Sequence, residues 1–225
     1  MLSAQNTKIF IPAYNEEITL ETTINHIRKY LPDYKICVFN NASNDNTEEI
    51  AKIIADEYYY VREKGKGNVF KYMIKNINSE YIIMTDADNT YDFSNSSSFI
   101  KRFNLKNLDT LIGKRLYSNE IKINKVRFLS NRIFNILFNF LFKSRFEDIC
   151  SGFRIINIKK IIDHKFISKN FEIETELNVL IAKKNHIYEE VDINYTERSN
   201  SKSKLISFID GPKIISFLIK KYFIR

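Results

Sequence analysis

Tyr81-Ile-Ile-Met-Thr85, followed at once by Asp86-Ala-Asp88, is an apolar run that ends abruptly in two carboxylates. The run reads as a buried strand and the carboxylates as the loop at its carboxyl end. The same pattern recurs on both sides. Lys8-Ile-Phe-Ile-Pro12 reads as a strand, followed by a helix over Glu16–Tyr30 entered through Asn15. Lys35-Ile-Cys-Val-Phe39 leads into a helix starting near Asp45, with Glu48 and Glu49 in its first turn, where carboxylates suit the helix dipole. A strand over Tyr58–Val61, helices over Lys66–Asn76 and Ser96–Leu105, and a strand over Thr110–Gly113 complete the series. Repeated units of this length predict an α/β fold: a doubly wound, mostly parallel sheet with helices on both faces.

Downstream, Arg127–Phe142 reads as a helix that is apolar on nearly every face, suited to deep burial or to lipid. Gly152–Ile156 and Ile187–Ile193 read as strands and Glu172–Asn185 as an amphipathic helix, with Glu172, Glu174 and Glu176 on a solvated face. A Ser/Lys-rich loop, Arg198–Lys204, precedes a last helix interrupted by Asp210-Gly-Pro-Lys213. The organisation expected is one domain over 1–204, halved near residue 115, with an amphipathic helical extension over 205–225.

The composition narrows the classes of function. The chain has 225 residues, 44% of them hydrophobic, with 5 Gly, 3 Pro and 2 Cys, so disorder, collagen-like repeats and a disulfide framework are excluded. All five glycines are expected at functional turns. The net charge of +8 is uneven: residues 1–100 carry 10 Lys/Arg against 14 Asp/Glu, and the remainder 25 against 13. So basic a second half suits an anionic partner, or is simply a lysine-rich surface. No signal peptide and no spanning helix is predicted, so the chain is expected to be soluble or peripheral, in a reducing compartment.

Polar residues follow each strand: Pro12-Ala-Tyr-Asn-Glu16, Asn40–Thr47, Asp86-Ala-Asp88 and Gly113-Lys-Arg115. They therefore gather on the sheet edge where α/β proteins bind ligands. Two carboxylates one residue apart suit a divalent cation completed by substrate phosphates, the arrangement Mg²⁺ prefers. A helix cap or solvated turn is the plainer reading of so short a motif. Lys64-Gly-Lys-Gly67 suits either a flexible turn or phosphate contact.

Taken in order, Ile9–Glu17, Asn40–Thr47, Lys64–Gly67, Asp86–Asp92, Ser151-Gly-Phe-Arg154 and Arg198–Lys204 resemble the motifs of family 2 glycosyltransferases of GT-A fold. They are similar in particular to the dolichyl- or polyprenyl-phosphate mannosyl- and glucosyltransferase branch, over nearly the whole chain. The resemblance implies an inverting transferase that moves one sugar from a nucleotide diphosphate sugar to a polyprenyl phosphate with Mg²⁺ or Mn²⁺. It implies that Pro12, Tyr14 and Glu16, with Phe39 and Asn41, hold the base and ribose. Asp86, Ala87 and Asp88 match the segment that binds metal and diphosphate, with Thr90 at a nearby metal position. Arg115 matches an arginine beside the phosphates, and Arg198 and Lys204 keep the spacing of a basic pair on the donor. Arg127 and Ser130, with Arg115, fall near the acceptor phosphate.

One departure bears on the base. Asn41 stands where the family usually has a carboxylate, and an amide oxygen suffices for the single imide N–H of uracil, which favours a UDP-sugar over GDP-mannose. A phosphate acceptor is already anionic at neutral pH and needs no strong general base. The resemblance places the chain at the cytoplasmic face of a membrane, with a membrane protein or a second copy as further partners. The alternatives are a family 2 transferase acting on a sugar hydroxyl in capsule, lipopolysaccharide or glycoprotein glycan synthesis, for which Glu147-Asp148 is the nearest base motif, and a non-catalytic nucleotide- or membrane-binding module. Nucleic acid is not expected, since no helix-turn-helix, aromatic strand motif or zinc spacing accompanies the charge.

Overall fold

The computed structural model describes residues 1–117, 125–197 and 207–223, and all their side chains except those of 117, 125–128 and 207–210. The strands are β1 (Thr7–Ala13), β2 (Lys35–Asn40), β3 (Glu57–Tyr60), β4 (Tyr81–Met84), β5 (Thr110–Tyr117), β6 (Arg154–Asn157) and β7 (Tyr188–Tyr195). They form one sheet in the order β3-β2-β1-β4-β6-β5-β7. All pairings are parallel except those of β6, which runs antiparallel to both neighbours.

The helices are α1 (Leu20–Tyr30), α2 (Thr47–Ile54), α3 (Lys66–Asn76), α4 (Ser96–Leu105), α5 (Lys125–Phe142), α6 (Glu172–Lys184) and α7 (Ser207–Phe223). They cover both faces of the sheet. Ile9 and Ile11 of β1 face Leu20, Ile24, Phe99 and Phe103, while Phe10 between them faces Val69, Phe70 and Met73 of α3 and Leu177 of α6. A central strand buried on both faces must be apolar at every position, which is why it reads as an unbroken run. A third cluster joins α5, α6 and α7 through Phe134, Phe138, Ile181, Ile214 and Leu218.

The structure corrects several boundaries. Helix α1 begins at Leu20, because Asn15 takes a left-handed backbone and the Glu16 N–H is held by the Thr47 hydroxyl at 2.7 Å. Strand β5 runs on through Gly113 to Tyr117, paired with β7 along its whole length, so Gly113 is a strand residue and not a turn. Helix α7 continues through Asp210-Gly-Pro-Lys213. Gly211 lies where α7 crosses α5, and a Cβ there would come within 3.2 Å of the Phe134 ring. Helix α6 is not amphipathic: Ile173 through Ile181 are all buried, Glu174 and Glu176 included. Glu176 accepts hydrogen bonds from the Ile167 and Ser168 amides and from Lys221 of α7, at 2.6–3.2 Å. Burial would raise its pKa, but the hydrogen bonds from His164, Lys221 and Ser168 outweigh it and hold the carboxylate at about 2. Among the described residues no helix is long and apolar enough to cross a membrane.

Candidate active site

The carboxyl ends of β1, β2, β4 and β5 open onto a cavity of about 360 Å³. Its first wall is the turn after β1. Pro12 and Ala13 end the strand, Tyr14 turns outward under Lys64, and Glu16 receives the Thr19 hydroxyl at 2.9 Å. The Lys64 Nζ lies 5.0 Å from the centre of the Tyr14 ring and 3.3 Å from its hydroxyl, so this aromatic face is held by a cation.

The second wall is the turn between β3 and α3, organised by Asn41. Its amide oxygen accepts the Gly65 N–H at 2.7 Å, while its NH₂ donates to the Val61 and Glu63 carbonyls at 3.2 and 2.7 Å. Both donors and one lone pair are thereby committed to backbone. Gly65 has a φ of +115°, which a side chain would strain, and it starts α3 so that Lys66 turns into the cavity.

Lys66 is the centre of the site. Its ammonium bridges Asp86 and Glu174 at 2.5 Å each, with the side chains of Lys66 and Glu174 almost fully buried. Burial opposes the charge, yet the two carboxylates raise the Lys66 pKa above the ordinary lysine value. The second oxygen of Glu174 is buried with no hydrogen-bond partner among the described residues, and Glu174 lines the cavity. Opposite, Gly152 lets backbone approach Asp86, where a Cβ would lie 2.4 Å from the carboxylate. Asp88 accepts the Thr90 hydroxyl at 2.6 Å.

The far wall is Arg115, whose guanidinium meets Asp148 in two parallel bonds of 2.7 Å and lies 5.4 Å from the Tyr195 ring centre. Behind it, the fully buried Arg154 ties the Ser151 carbonyl to Asn178 and the Glu174 carbonyl, fastening α6 to the loop that carries Asp148. Burial pulls its pKa below the usual arginine value, against the carboxylates around it.

The cavity thus brings together Pro12, Tyr14, Glu16, Asn41, Asp86, Ala87, Asp88 and Arg115. Other predicted site residues lie elsewhere. Phe39 is fully buried within β2, stacks on Tyr59 at 4.5 Å and packs in the cluster that holds Val69 and Phe70, and it does not line the cavity. Thr90 stands behind Asp88 and orients it, and does not line the cavity. Ser130 does not line it either, although its neighbour Asn131 does. Arg198, Lys204 and the side chain of Arg127 lie outside the described residues. The sequence reading missed Glu174, Tyr91, Tyr195 and the pairing of Lys66. Lys64–Gly67, placed directly after a strand, was the one local signal.

The model for glycosyl transferase family 2 matches residues 8–164. Protein RfbJ of Shigella flexneri is 33% identical over 115 residues, 51% of this chain and 89% of RfbJ. The glycosyltransferase AglJ of Haloferax volcanii is 29% identical over 181 residues, 78% of this chain and 58% of AglJ. The low-salt glycan biosynthesis hexosyltransferase Agl6 of the same organism is 27% identical over 226 residues, 96% of this chain and 54% of Agl6. The chain therefore spans little more than half the length of the two archaeal relatives. Among solved structures, glucosyl-3-phosphoglycerate synthase from Mycobacterium tuberculosis in complex with Mn²⁺ and UDP-glucose is similar, with a TM-score of 0.76 at 16% identity. That similarity covers 98% of this chain and 80% of the synthase, and establishes a common GT-A fold.

Proposed function

The chain belongs to glycosyl transferase family 2 and is a glycosyltransferase of nucleotide sugars, and from that premise we propose that it moves one sugar, with inversion, onto a polyprenyl phosphate. The observation that carries the proposal is the meeting of Asp86, Asp88, Lys66 and Arg115 around one cavity, two carboxylates and two cations at the sheet edge. Residues 1–115 hold the donor, 116–204 the acceptor, and 205–225 extend the acceptor side at the cytoplasmic face of a membrane.

The acceptor phosphate oxygen attacks the anomeric carbon as the bond from that carbon to the nucleoside diphosphate breaks, and the electron pair leaves with the diphosphate. Since the nucleophile is already anionic, the chain supplies alignment and charge more than proton transfer. Lys66 and Arg115 steady the phosphates, and Asp148 fixes the Arg115 guanidinium through its two hydrogen bonds. Glu174 offers its unpartnered oxygen to a sugar hydroxyl. Arg198 and Lys204, by resemblance, steady the donor phosphates. Hard carboxylate oxygens of Asp86 and Asp88, with room for phosphate oxygens, fit a divalent cation such as Mg²⁺ or Mn²⁺, and Thr90 holds Asp88 for it. Such a cation would neutralise charge on the departing diphosphate. Structures of the mycobacterial synthase with Mn²⁺ and UDP support both the metal and the uridine nucleotide.

The preference for uridine no longer rests on Asn41, whose amide is spent on the turn. Asn41→Asp replaces two donated hydrogen bonds by carboxylate facing carbonyl oxygens, so it should loosen the turn bearing Lys64 and Lys66. Titrating the variant with UDP and GDP is expected to show both weakened roughly tenfold, with their ratio unchanged. A swing of that ratio toward GDP would restore Asn41 as a reader of the base.

Transfer to a sugar hydroxyl is the rival. Its nearest base, Asp148, is committed to Arg115, and Glu147 is exposed and paired with Lys114. Membranes holding polyprenyl phosphate, incubated with labelled UDP-hexoses and GDP-mannose and either Mg²⁺ or Mn²⁺, separate the two. A labelled lipid phosphate from a UDP-sugar is expected. Label appearing only on saccharide, or hydrolysis alone, would overturn the lipid acceptor.

A further inference from the structure

Helix α5 presents Leu129, Ile133, Ile136 and Phe140 to solvent, 58%, 50%, 62% and 79% exposed. Spacings of four, three and four place them on one face for three turns. Asn131, about 200° round the helix from Ile133, lines the cavity on the other side. Phe134 and Phe138 on the inner side are buried against α6 and α7. Helix α7 packs against α5, with the Phe142 and Tyr222 rings 6.3 Å apart, and it too exposes apolar side chains, Ile219, Tyr222 and Phe223. Lys221 anchors the inner face of that helix to the buried Glu176.

The charges on the two helices are nearly all positive, and the exposed Glu147 beside α5 is paired with Lys114. The sequence of α5 contains no Asp or Glu, and that of α7 only Asp210, in its first turn. Arg132 lies within the stripe, Lys143 and Arg145 follow its end, and Lys220 stands beside Ile219, all exposed. A second copy docked face to face about a two-fold axis would set these cations against themselves. An apolar stripe rimmed by Lys and Arg instead matches an anionic bilayer, with the apolar side chains among acyl chains and the cations among headgroups.

We propose that the outer face of α5, with the exposed end of α7, is the surface by which this chain lies on an anionic membrane, so that the other side of α5 offers the cavity to a phosphate carried in that membrane. The inference rests on the lipid-phosphate reading of the acceptor, but its test uses vesicles without polyprenyl phosphate and so stands apart from transfer. Cosedimentation would compare vesicles of phosphatidylcholine with vesicles that also contain phosphatidylglycerol, for wild type, Ile136→Asp, Phe140→Asp and the pair Arg132→Gln with Lys143→Gln.

Wild type is expected to bind the anionic vesicles about tenfold or more tightly than the neutral ones. Each Asp variant is expected to lose about tenfold or more of that binding while keeping wild-type affinity for UDP, which shows that it is folded. The double Gln variant should lose the preference for anionic lipid. Equal binding by all variants, or none by wild type, would overturn the proposal. So would a wild-type dimer in sedimentation equilibrium that Phe140→Asp dissociates, since a second copy would then cover the stripe. A protein that docks as expected yet forms no lipid-linked product would leave the docking intact and overturn the acceptor.

Discussion

Asp88→Ala is expected to abolish sugar transfer while the protein stays folded. Asp88 lines the cavity just beyond β4, and the Thr90 hydroxyl fixes the direction of its carboxylate at 2.6 Å. It packs in no hydrophobic cluster, so its removal costs the fold little. What is lost, in the proposed mechanism, is one of the two carboxylates that would hold a divalent cation. Losing such an electrostatic contact lowers turnover by roughly 10²–10³-fold. Asp88→Asn, nearly equal in shape, should lose almost as much, because charge and not volume is at stake. Initial rates with excess metal beside thermal melts of all three proteins provide the check. Near wild-type rates for Asp88→Ala at saturating metal would remove Asp88 from the machinery.

Lys66→Met is expected to harm both stability and transfer. The ammonium separates two carboxylates, Asp86 and Glu174, each 2.5 Å from it, and no other described cation bridges them. Deleting one member of a buried charge cluster leaves the others uncompensated, at a cost of about 3–5 kcal/mol. The Asp86 side chain is 29% exposed and water screens part of the loss, so about 3 kcal/mol is expected.

The conservative variant is diagnostic. Lys66→Arg keeps the positive charge between Asp86 and Glu174 and should lose far less stability than Lys66→Met. Chemical denaturation of wild type and the two variants measures this, and equal losses in both variants would show that only packing had been removed.

How the sequence foretold this site follows from the range of the interactions. The loops after β1 and β4 were legible because a buried strand that stops at polar residues is a local signal, and the parallel topology then brings them to one edge, where Arg115 of β5 joins them. The partnership of Lys66 with Glu174 was not legible, for the two lie far apart in the chain and only the packing of α3 against α6 joins them. Glutamates at 172, 174 and 176 carry the composition of a wet helix face. The burial of Glu174 and Glu176 is tertiary, since α6 packs against α3 and α7, with Lys66 and Lys221 compensating the charge. Phe39 failed for a geometric reason, because it lies within β2 and packs into the core beside α3, whereas Asn41, two residues on, lies past the end of the strand where the cavity opens. Asn41 was found at the right place, but its hydrogen bonds go to the turn that carries Lys64 and Lys66.

The most direct measurement is the mass of a polyprenyl phosphate recovered after incubation with a UDP-hexose, divalent metal and the protein. A gain of a single hexose with wild type, and none with Asp88→Ala, is the expected result. A polyprenyl phosphate of unchanged mass while the UDP-hexose is consumed, or the same gain with Asp88→Ala, would contradict it.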